Sequence, residues 1–249
     1  KESMIMSITT TITTVDAAIG ESGTFLGTYR VQADIIAQKP DLLFIEYAIN
    51  DTYYGSSESE ATLQFETIVR EVKQALPDCD IVTVLTTDKT FMAGSYNGDL
   101  FAAAKGHSRI AKAYGLPVAN IGIGLAKGIA EKENNASWWS SDTIWKRYFC
   151  DSVHPYSTGH EQYYLCMKEF LENNLLYTEH TAISRTNLPA VQSEHLLDGD
   201  RKSIYGADMQ DYFVAESSTG ASFNSGTFVT GTSDTPRVGY YEVAANGRQ

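Results

Sequence analysis

The sequence predicts an α/β fold in which helices cover a parallel sheet, and two observations predict it. Mostly apolar runs of strand length, such as residues 41–47, are typical of strands that are buried on both faces of a parallel sheet. Such runs alternate along the chain with stretches of helical periodicity, as in a doubly wound sheet. In sheets of this kind, the functional loops lie beyond the carboxyl ends of the strands.

The first β-α-β unit begins with residues 12–19, which are rich in Thr, Ile and Val and stop at Gly20. A loop through Gly27 follows, and then a helix over residues 29–38 that ends before Pro40, because proline cannot continue a helix. The apolar run at 41–47 is the next predicted strand. The later predicted elements are helices over 60–75, 100–114, 124–132 and 158–173, and strands over 81–85 and 117–119.

A change in the sequence pattern near residue 177 predicts a domain boundary, with a main domain over 1–176 and a second region over 177–249. Helical periodicity ends there, and Ser, Thr and Gly separate short apolar segments such as 226–229 and 237–243. We expect this region to be a linker followed by part of a β-rich, sandwich-like module.

The composition excludes several classes of partner. With 19 basic and 31 acidic side chains, the formal charge of −12 repels nucleic acid and anionic lipid. No run of about 18 apolar residues is present, so no membrane span is expected. Three cysteines without metal-ligand spacing allow at most one disulfide. The acidity, the 15 tyrosines and the many Ser and Thr favour a secreted protein.

Polar clusters with catalytic potential follow predicted strands. Asn50 and Asp51 come directly after the run at 41–47, and an Asn amide at a strand end can stabilise an oxyanion, although an Asn-Asp pair is also a common turn. Asp151 precedes His154 by three residues, a spacing that lets a carboxylate orient an imidazole as a base, although a surface loop with an incidental histidine fits as well. The backbone amides of the loop 20–24 can line an oxyanion pocket, although most glycine-containing loops of this length are only turns.

These clusters resemble three sequence blocks of the SGNH/GDSL hydrolases in order and spacing. Residues 16–30 resemble the second block of that family, 46–51 the third and 151–155 the fifth. The resemblance implies a flavodoxin-like three-layer α/β/α fold and Ser-His-Asp ester hydrolysis without a cofactor or metal. It makes His154 the general base, Asp151 the residue that orients it, and Asn50 and the backbone amide of Glu21 the oxyanion donors.

The substrate-binding residues are expected in the same loops and in one aromatic pair. Around the oxyanion pocket the expected residues are Gly20, Ser22, Gly23 and Asp51. Trp138 and Trp139 could form a platform for a sugar ring, although packing in a core or loop is at least as good an interpretation.

Two departures from the family pattern bear on activity. The first block, Gly-Asp-Ser, has no counterpart, so the nucleophile is expected outside this sequence or was lost. In the family, the strand that carries this block lies in the middle of the sheet, so we expect an upstream segment or another chain to complete the sheet. Glu21 occupies the place of the oxyanion glycine, where a carboxylate would oppose a developing negative charge.

The leading hypothesis is a serine esterase that deacylates a small ester or an acylated carbohydrate. The alternative is a catalytically inactive relative that serves as a glycan-binding or structural component, which Glu21 and the absent Gly-Asp-Ser favour. A flavodoxin-like nucleotide binder is disfavoured, because no glycine-rich phosphate loop precedes a helix.

Overall fold

Three apolar runs form a parallel sheet: β1 (Leu42–Ile45), β2 (Asp80–Leu85) and β3 (Val118–Asn120), in the order β1-β2-β3. Leu43 of β1 is in register with Ile81, and Val84 of β2 with Ala119. The computed structural model describes residues 12–173 and 188–193, together with the backbone of Ser222–Phe223 and Gly226–Thr227. All three strands lie close to where the sequence predicts them.

Helices fill the connections between the strands. In chain order they are α1 (Thr24–Arg30), α2 (Ala48–Tyr53), α3 (Glu58–Ala75), α4 (Met92–Asn97), α5 (Ala102–Tyr114), α6 (Ile121–Lys132), α7 (Asp142–Tyr148) and α8 (Ser157–Leu171). The longest, α3, begins with a capping box, in which Ser57 accepts from the Glu60 backbone N–H and the Glu60 carboxylate accepts from the Ser57 backbone N–H.

The side chains of the sheet alternate between two apolar layers. On one face, Ile45 and Ile81 pack with Phe65 of α3 and Ile110 of α5. On the other face, the neighbouring β2 residue Val82 packs with α6 and α8. Helices therefore cover both faces, and the expected three-layer α/β/α fold is confirmed.

The first predicted strand is wrong. Residues 12–19 form no strand and are mostly exposed, because among the described residues no neighbouring strand supplies the backbone hydrogen bonds that a strand needs. The predicted loop through Gly27 is also wrong, since α1 begins at Thr24. Gly27 lies inside this helix. A glycine is needed there because a Cβ would come within 3.0 Å of side-chain atoms of Ile68 and Tyr47. The helical path continues through a π turn (Val31–Ile35) and a 3-10 turn (Ile36–Gln38), which ends two residues before Pro40.

Short helices replace two segments that the sequence suggests are turns or loops. Asn50 and Asp51 lie inside α2, and α7 follows the tryptophan-bearing loop. Ser141 caps α7 by accepting from the Ile144 backbone N–H. Helices of six or seven residues leave little periodicity in a sequence, because they span barely two turns.

One edge of the sheet is open within the described residues. There β1 pairs with β2 alone. Leu42 and Phe44 of β1 are 40% and 42% exposed. They lie on the face of the sheet that α8 covers at β2 and β3. An unpaired strand edge presents backbone donors and acceptors that another strand can use.

Residues 188–193 return to the surface of α3. Glu66 accepts hydrogen bonds from the backbone N–H of Gln192 and Ser193, both at 2.8 Å, and from the hydroxyl of Tyr114 at 2.6 Å. Burial raises the pKa of Glu66, but these hydrogen bonds outweigh it, and the net pKa lies below its usual value. We name this contact the Glu66 latch.

Further along the chain, the backbone of Ser222–Phe223 pairs antiparallel with that of Gly226–Thr227. The remainder of the predicted β-rich module and the predicted boundary near residue 177 lie outside the described residues. Within the part of the chain that the structure describes, no helix is both long enough and apolar enough to cross a bilayer.

Candidate active site

Asp151 and His154 form a hydrogen-bonded pair in the loop before α8. Asp151 Oδ2 lies 2.7 Å from His154 Nδ1, which confirms the contact predicted from their spacing. The other carboxylate oxygen, Oδ1, accepts from the backbone N–H groups of His154 and Val153, both at 2.8 Å. These two backbone hydrogen bonds, assisted by the His154 side chain, lower the pKa of Asp151 to about 2. Asp151 is therefore a carboxylate at neutral pH.

The loop that carries this pair is held from several sides. The indole N–H of Trp145 donates to the Asp151 carbonyl at 2.6 Å, and the backbone N–H of Lys89, beyond the end of β2, donates to the Ser152 carbonyl at 2.9 Å. The Cys150 backbone N–H donates to the His154 carbonyl at 2.9 Å. The loop is thus fixed to α7 and to the carboxyl end of the sheet, while the His154 side chain remains 67% exposed and accessible to a substrate.

Asn50 lies in α2, directly beyond the carboxyl end of β1. Its side-chain nitrogen donates to the Ser22 carbonyl at 3.0 Å, which joins α2 to the loop 20–23. An amide nitrogen carries two hydrogens, so Asn50 retains a second one that can donate to a substrate oxygen. This contact fixes the direction of the remaining N–H.

Glu21 adopts a left-handed backbone conformation, with φ 63°. Residues with a Cβ seldom adopt this conformation, which costs about 1–2 kcal/mol, whereas glycine adopts it readily. The backbone itself therefore indicates a glycine position, in agreement with the comparison of sequence blocks. The Glu21 side chain is exposed. The backbone carbonyl of Glu21 accepts a hydrogen bond from the hydroxyl of Tyr54.

A buried network under this loop was not evident from the sequence. Asp51 accepts from the Thr24 backbone N–H at 2.7 Å, the Thr24 hydroxyl lies 2.8 Å from Asp51 Oδ2, and His107 Nε2 lies 3.0 Å from the same oxygen. The carboxylate of Asp51 thereby caps α1 from the neighbouring helix. Gly23 makes this possible, because a Cβ there would lie 2.5 Å from Asp51 Oδ1.

Glu46, at the end of β1, is a second titratable group that sequence reasoning missed. Thr86 donates its hydroxyl to Glu46 at 3.1 Å, and the backbone N–H groups of Ala48 and Ile49 also bind this carboxyl. Burial is the largest influence and raises its pKa to about 7. The raised pKa of Glu46 was not predictable, because the burial that causes it depends on how the strand packs and not on the strand's own sequence.

Tyr53 connects α2 with the loop of Asp151 and His154. Its hydroxyl donates to Asp88 Oδ2 at 2.9 Å and lies 3.5 Å from Ser152 Oγ. Partial burial, together with Asp88, raises the pKa of Tyr53, so the hydroxyl remains a donor at neutral pH. The structure thus brings the Asn50 helix and the His154 loop together beyond the carboxyl end of the sheet, as predicted. The prediction that Asp151 and His154 follow a strand is wrong, because their loop follows α7.

Several predicted substrate contacts are corrected by burial. Trp138 has 0% exposure, donates to the Ala126 carbonyl at 3.0 Å and stacks on Trp145, so it is a core residue and not a sugar platform. Trp139 is half-buried and packs against Trp138 and Tyr96.

The predicted substrate-binding residues around the oxyanion pocket divide into exposed and buried ones. Ser22 is buried and its hydroxyl donates to the Ile19 carbonyl at 2.7 Å, so its side chain faces away from a substrate. The buried Gly23 and Asp51 serve the packing of the loop, as described above. Gly20 and Glu21 are exposed, and their predicted roles remain predictions.

Comparison with known proteins agrees with this geometry. The model of the GDSL-like lipase/acylhydrolase family matches residues 7–162, which is more than half of the chain. The chain belongs to this family. No curated protein matches the chain.

Two solved structures of one esterase share the fold. A two-domain esterase active on acetylated mannans is 22% identical with a TM-score of 0.55, and the match covers 70% of this chain and 41% of that esterase. The same esterase co-crystallised with mannopentaose gives a TM-score of 0.53 at 22% identity, covering 70% and 40%. A protein described as a GDSL-like lipase from Parabacteroides merdae ATCC 43184 is 17% identical, with a TM-score of 0.46 and coverage of 61% and 69%. The chain thus spans about two fifths of the mannan esterase.

Proposed function

We propose that this GDSL-like chain supplies the base and oxyanion groups of a carboxylic ester hydrolase that deacetylates a carbohydrate. The observation that carries the proposal is the 2.7 Å contact between Asp151 Oδ2 and His154 Nδ1. An ionised Asp151 holds the Nδ1 proton and leaves Nε2 free to accept another. The nucleophilic serine is proposed to come from a segment outside the 249 residues.

In the proposed reaction, the serine oxygen attacks the ester carbonyl carbon while its proton moves to His154 Nε2. The carbonyl oxygen becomes an oxyanion, which the second N–H of Asn50 and the backbone amide of Glu21 would stabilise. Collapse of this intermediate breaks the ester bond, and the leaving alcohol takes the proton from His154. Water, deprotonated by the same nitrogen, then hydrolyses the acyl-enzyme and restores the serine.

The choice of an acetylated carbohydrate is supported by fold and charge. The structurally similar esterase acts on acetylated mannans. A net charge of −12 suits a neutral polysaccharide better than an anionic substrate. Acetylated mannan oligosaccharides are therefore the first substrates to test.

The test compares two exposed histidines of the same region in a polypeptide that includes the proposed nucleophile. His154→Ala should lower kcat for p-nitrophenyl acetate by about 10³-fold or more, since the base is lost. His160→Ala, on the exposed surface of α8, should retain the wild-type rate. Equal rates for His154→Ala and the wild type would overturn the proposal.

The alternative is a non-catalytic, glycan-binding member of the family. The left-handed Glu21 favours it, because the glycine that this backbone position suits is absent. Carbohydrate binding without any ester hydrolysis by the wild type would support this alternative.

A further inference from the structure

Two consecutive tyrosines, the last residue and the C-cap of α2, each have the hydroxyl fixed to a different side of the candidate site. Tyr53 donates to the buried carboxylate of Asp88 at 2.9 Å, on the side of the His154 loop. Tyr54 donates to the carbonyl of Glu21, on the side of the oxyanion loop. The mechanism proposed above uses neither ring.

Both rings are nevertheless presented to solvent. Tyr53 is 57% exposed and Tyr54 is 36% exposed. Because each hydroxyl is held, the rings are ordered before any ligand arrives, and little side-chain entropy is lost on binding. An ordered aromatic face attracts the positively polarised C–H groups of a sugar ring, since the face of the ring carries partial negative charge.

The position of Tyr53 relates it to the reacting groups. It follows Asn50 by three residues on α2, so the two side chains lie on neighbouring parts of one helix face. Its hydroxyl is 3.5 Å from Ser152 Oγ, and Ser152 lies between Asp151 and His154 in the chain. A sugar stacked on Tyr53 would therefore lie beside the groups proposed to attack its ester.

The charges around the rings restrict the ligand. The carboxyl groups of Asp88 and Asp151 lie near Tyr53, and Asp151 is ionised at neutral pH. Such surroundings repel a carboxylated or phosphorylated sugar. We propose that Tyr53 and Tyr54 form a subsite for a neutral sugar residue, namely the one that carries the ester. This subsite rests on the proposed function for its place in catalysis, but its binding can be measured without catalysis.

The test is titration of the polypeptide that includes the proposed nucleophile with unacetylated mannopentaose, followed by calorimetry or NMR. Tyr53→Ala and Tyr53→Leu remove the ring in two ways, and each should weaken binding about tenfold, the loss expected for one aromatic contact. Tyr53→Phe keeps the ring and should bind within about threefold of the wild type, because stacking dominates the contact. Tyr164→Ala, which removes an exposed tyrosine of α8, is the matched control and should bind like the wild type. A galacturonate oligosaccharide should bind more weakly than mannopentaose.

Wild-type affinity in both ring-deleting variants would overturn the subsite, and so would tighter binding of the galacturonate oligosaccharide. Absence of saturable mannopentaose binding by the wild type would overturn it as well. Hydrolysis of p-nitrophenyl acetate is the separate readout for the proposed function. If that hydrolysis persists while mannopentaose does not bind, the subsite fails and the esterase proposal stands. If mannopentaose binds through Tyr53 but no ester is hydrolysed, the subsite stands and the esterase proposal fails.

Discussion

His107 Nε2 lies 3.0 Å from Asp51 Oδ2 in the interior, and neither side chain is more than 1% exposed. Nδ1 of His107 has no hydrogen-bond partner among the described residues. A proton on Nδ1 would be a buried donor without an acceptor, whereas a proton on Nε2 is donated to Asp51. His107 thus helps to hold the carboxylate that caps α1.

This arrangement predicts different costs for two substitutions of His107. His107→Leu should lower the free energy of unfolding by about 3 kcal/mol, because the buried Asp51 carboxylate loses a donor. His107→Gln can place an N–H near the same position and should cost about 1 kcal/mol. Urea denaturation of both variants provides the measurement. The His107 ring stacks on the Phe65 ring with their centroids 4.3 Å apart. Equal losses of unfolding free energy in the two variants would show that this packing matters more than the hydrogen bond.

Glu21 offers a prediction that separates backbone strain from charge. Glu21→Gly should raise the free energy of unfolding by up to about 1 kcal/mol, since relief of the left-handed strain exceeds the added entropy of the unfolded chain. It should also raise the rate of ester hydrolysis, because a carboxylate leaves the proposed oxyanion site. Glu21→Ala is the matched control, which should raise the rate without raising stability. Unchanged rates in both variants would mean that the Glu21 carboxylate points away from the oxyanion.

Glu46 predicts a fall in stability as the pH rises. Its folded pKa of about 7 lies above the unfolded value near 4.5, so the unfolded chain releases the proton first. The stabilisation is complete below pH 4.5 and is lost between pH 4.5 and 7, by up to about 3 kcal/mol. Glu46→Gln should therefore be more stable than the wild type at pH 8 and similar at pH 4.5. Denaturant unfolding at both pH values provides the measurement, and Glu161→Gln, at an exposed residue, is the control. Equal changes in the free energy of unfolding for the two variants would show that the raised pKa does not belong to Glu46.

The open edge of β1 leads to our fourth prediction. We propose that a further strand, from an upstream segment or another chain, pairs with β1 and covers Phe44. In a protein completed in this way, Phe44→Lys should cost about 3 kcal/mol, because a charge would replace a buried aromatic ring. Leu165→Lys, at a similarly exposed apolar residue of α8, should change the free energy of unfolding by less than about 0.5 kcal/mol. Equally small effects of both substitutions would show that the edge stays open.

The sequence predicts the parts of this fold that depend on local patterns. The strands β1, β2 and β3 are short apolar runs, and the helices α3, α5 and α8 have clear periodicity or a cap, so each was found within a few residues of its observed ends. The contact between Asp151 and His154 was predictable because three residues separate the two in the chain. Local patterns carry all of this information.

What the sequence could not predict depends on distant contacts. His107 was missed because its partner, Asp51, lies 56 positions away. Residues 12–19 have the composition of a strand but lack a neighbouring strand in the described structure. The burial of Trp138 is not predictable from its neighbours in the chain, because it depends on α6 and α7, which pack over it.

The Glu66 latch also has a consequence for the order of folding events. Gln192 is 126 positions from Glu66, so the contact closes a very long loop, and the entropy of closure rises with loop length. Contacts of this kind are expected to form after the transition state, when the intervening strands and helices are already in place. Loss of such a late contact accelerates unfolding and leaves the folding rate nearly unchanged. Residues 188–193 should therefore be the first of the described segments to detach when the protein unfolds.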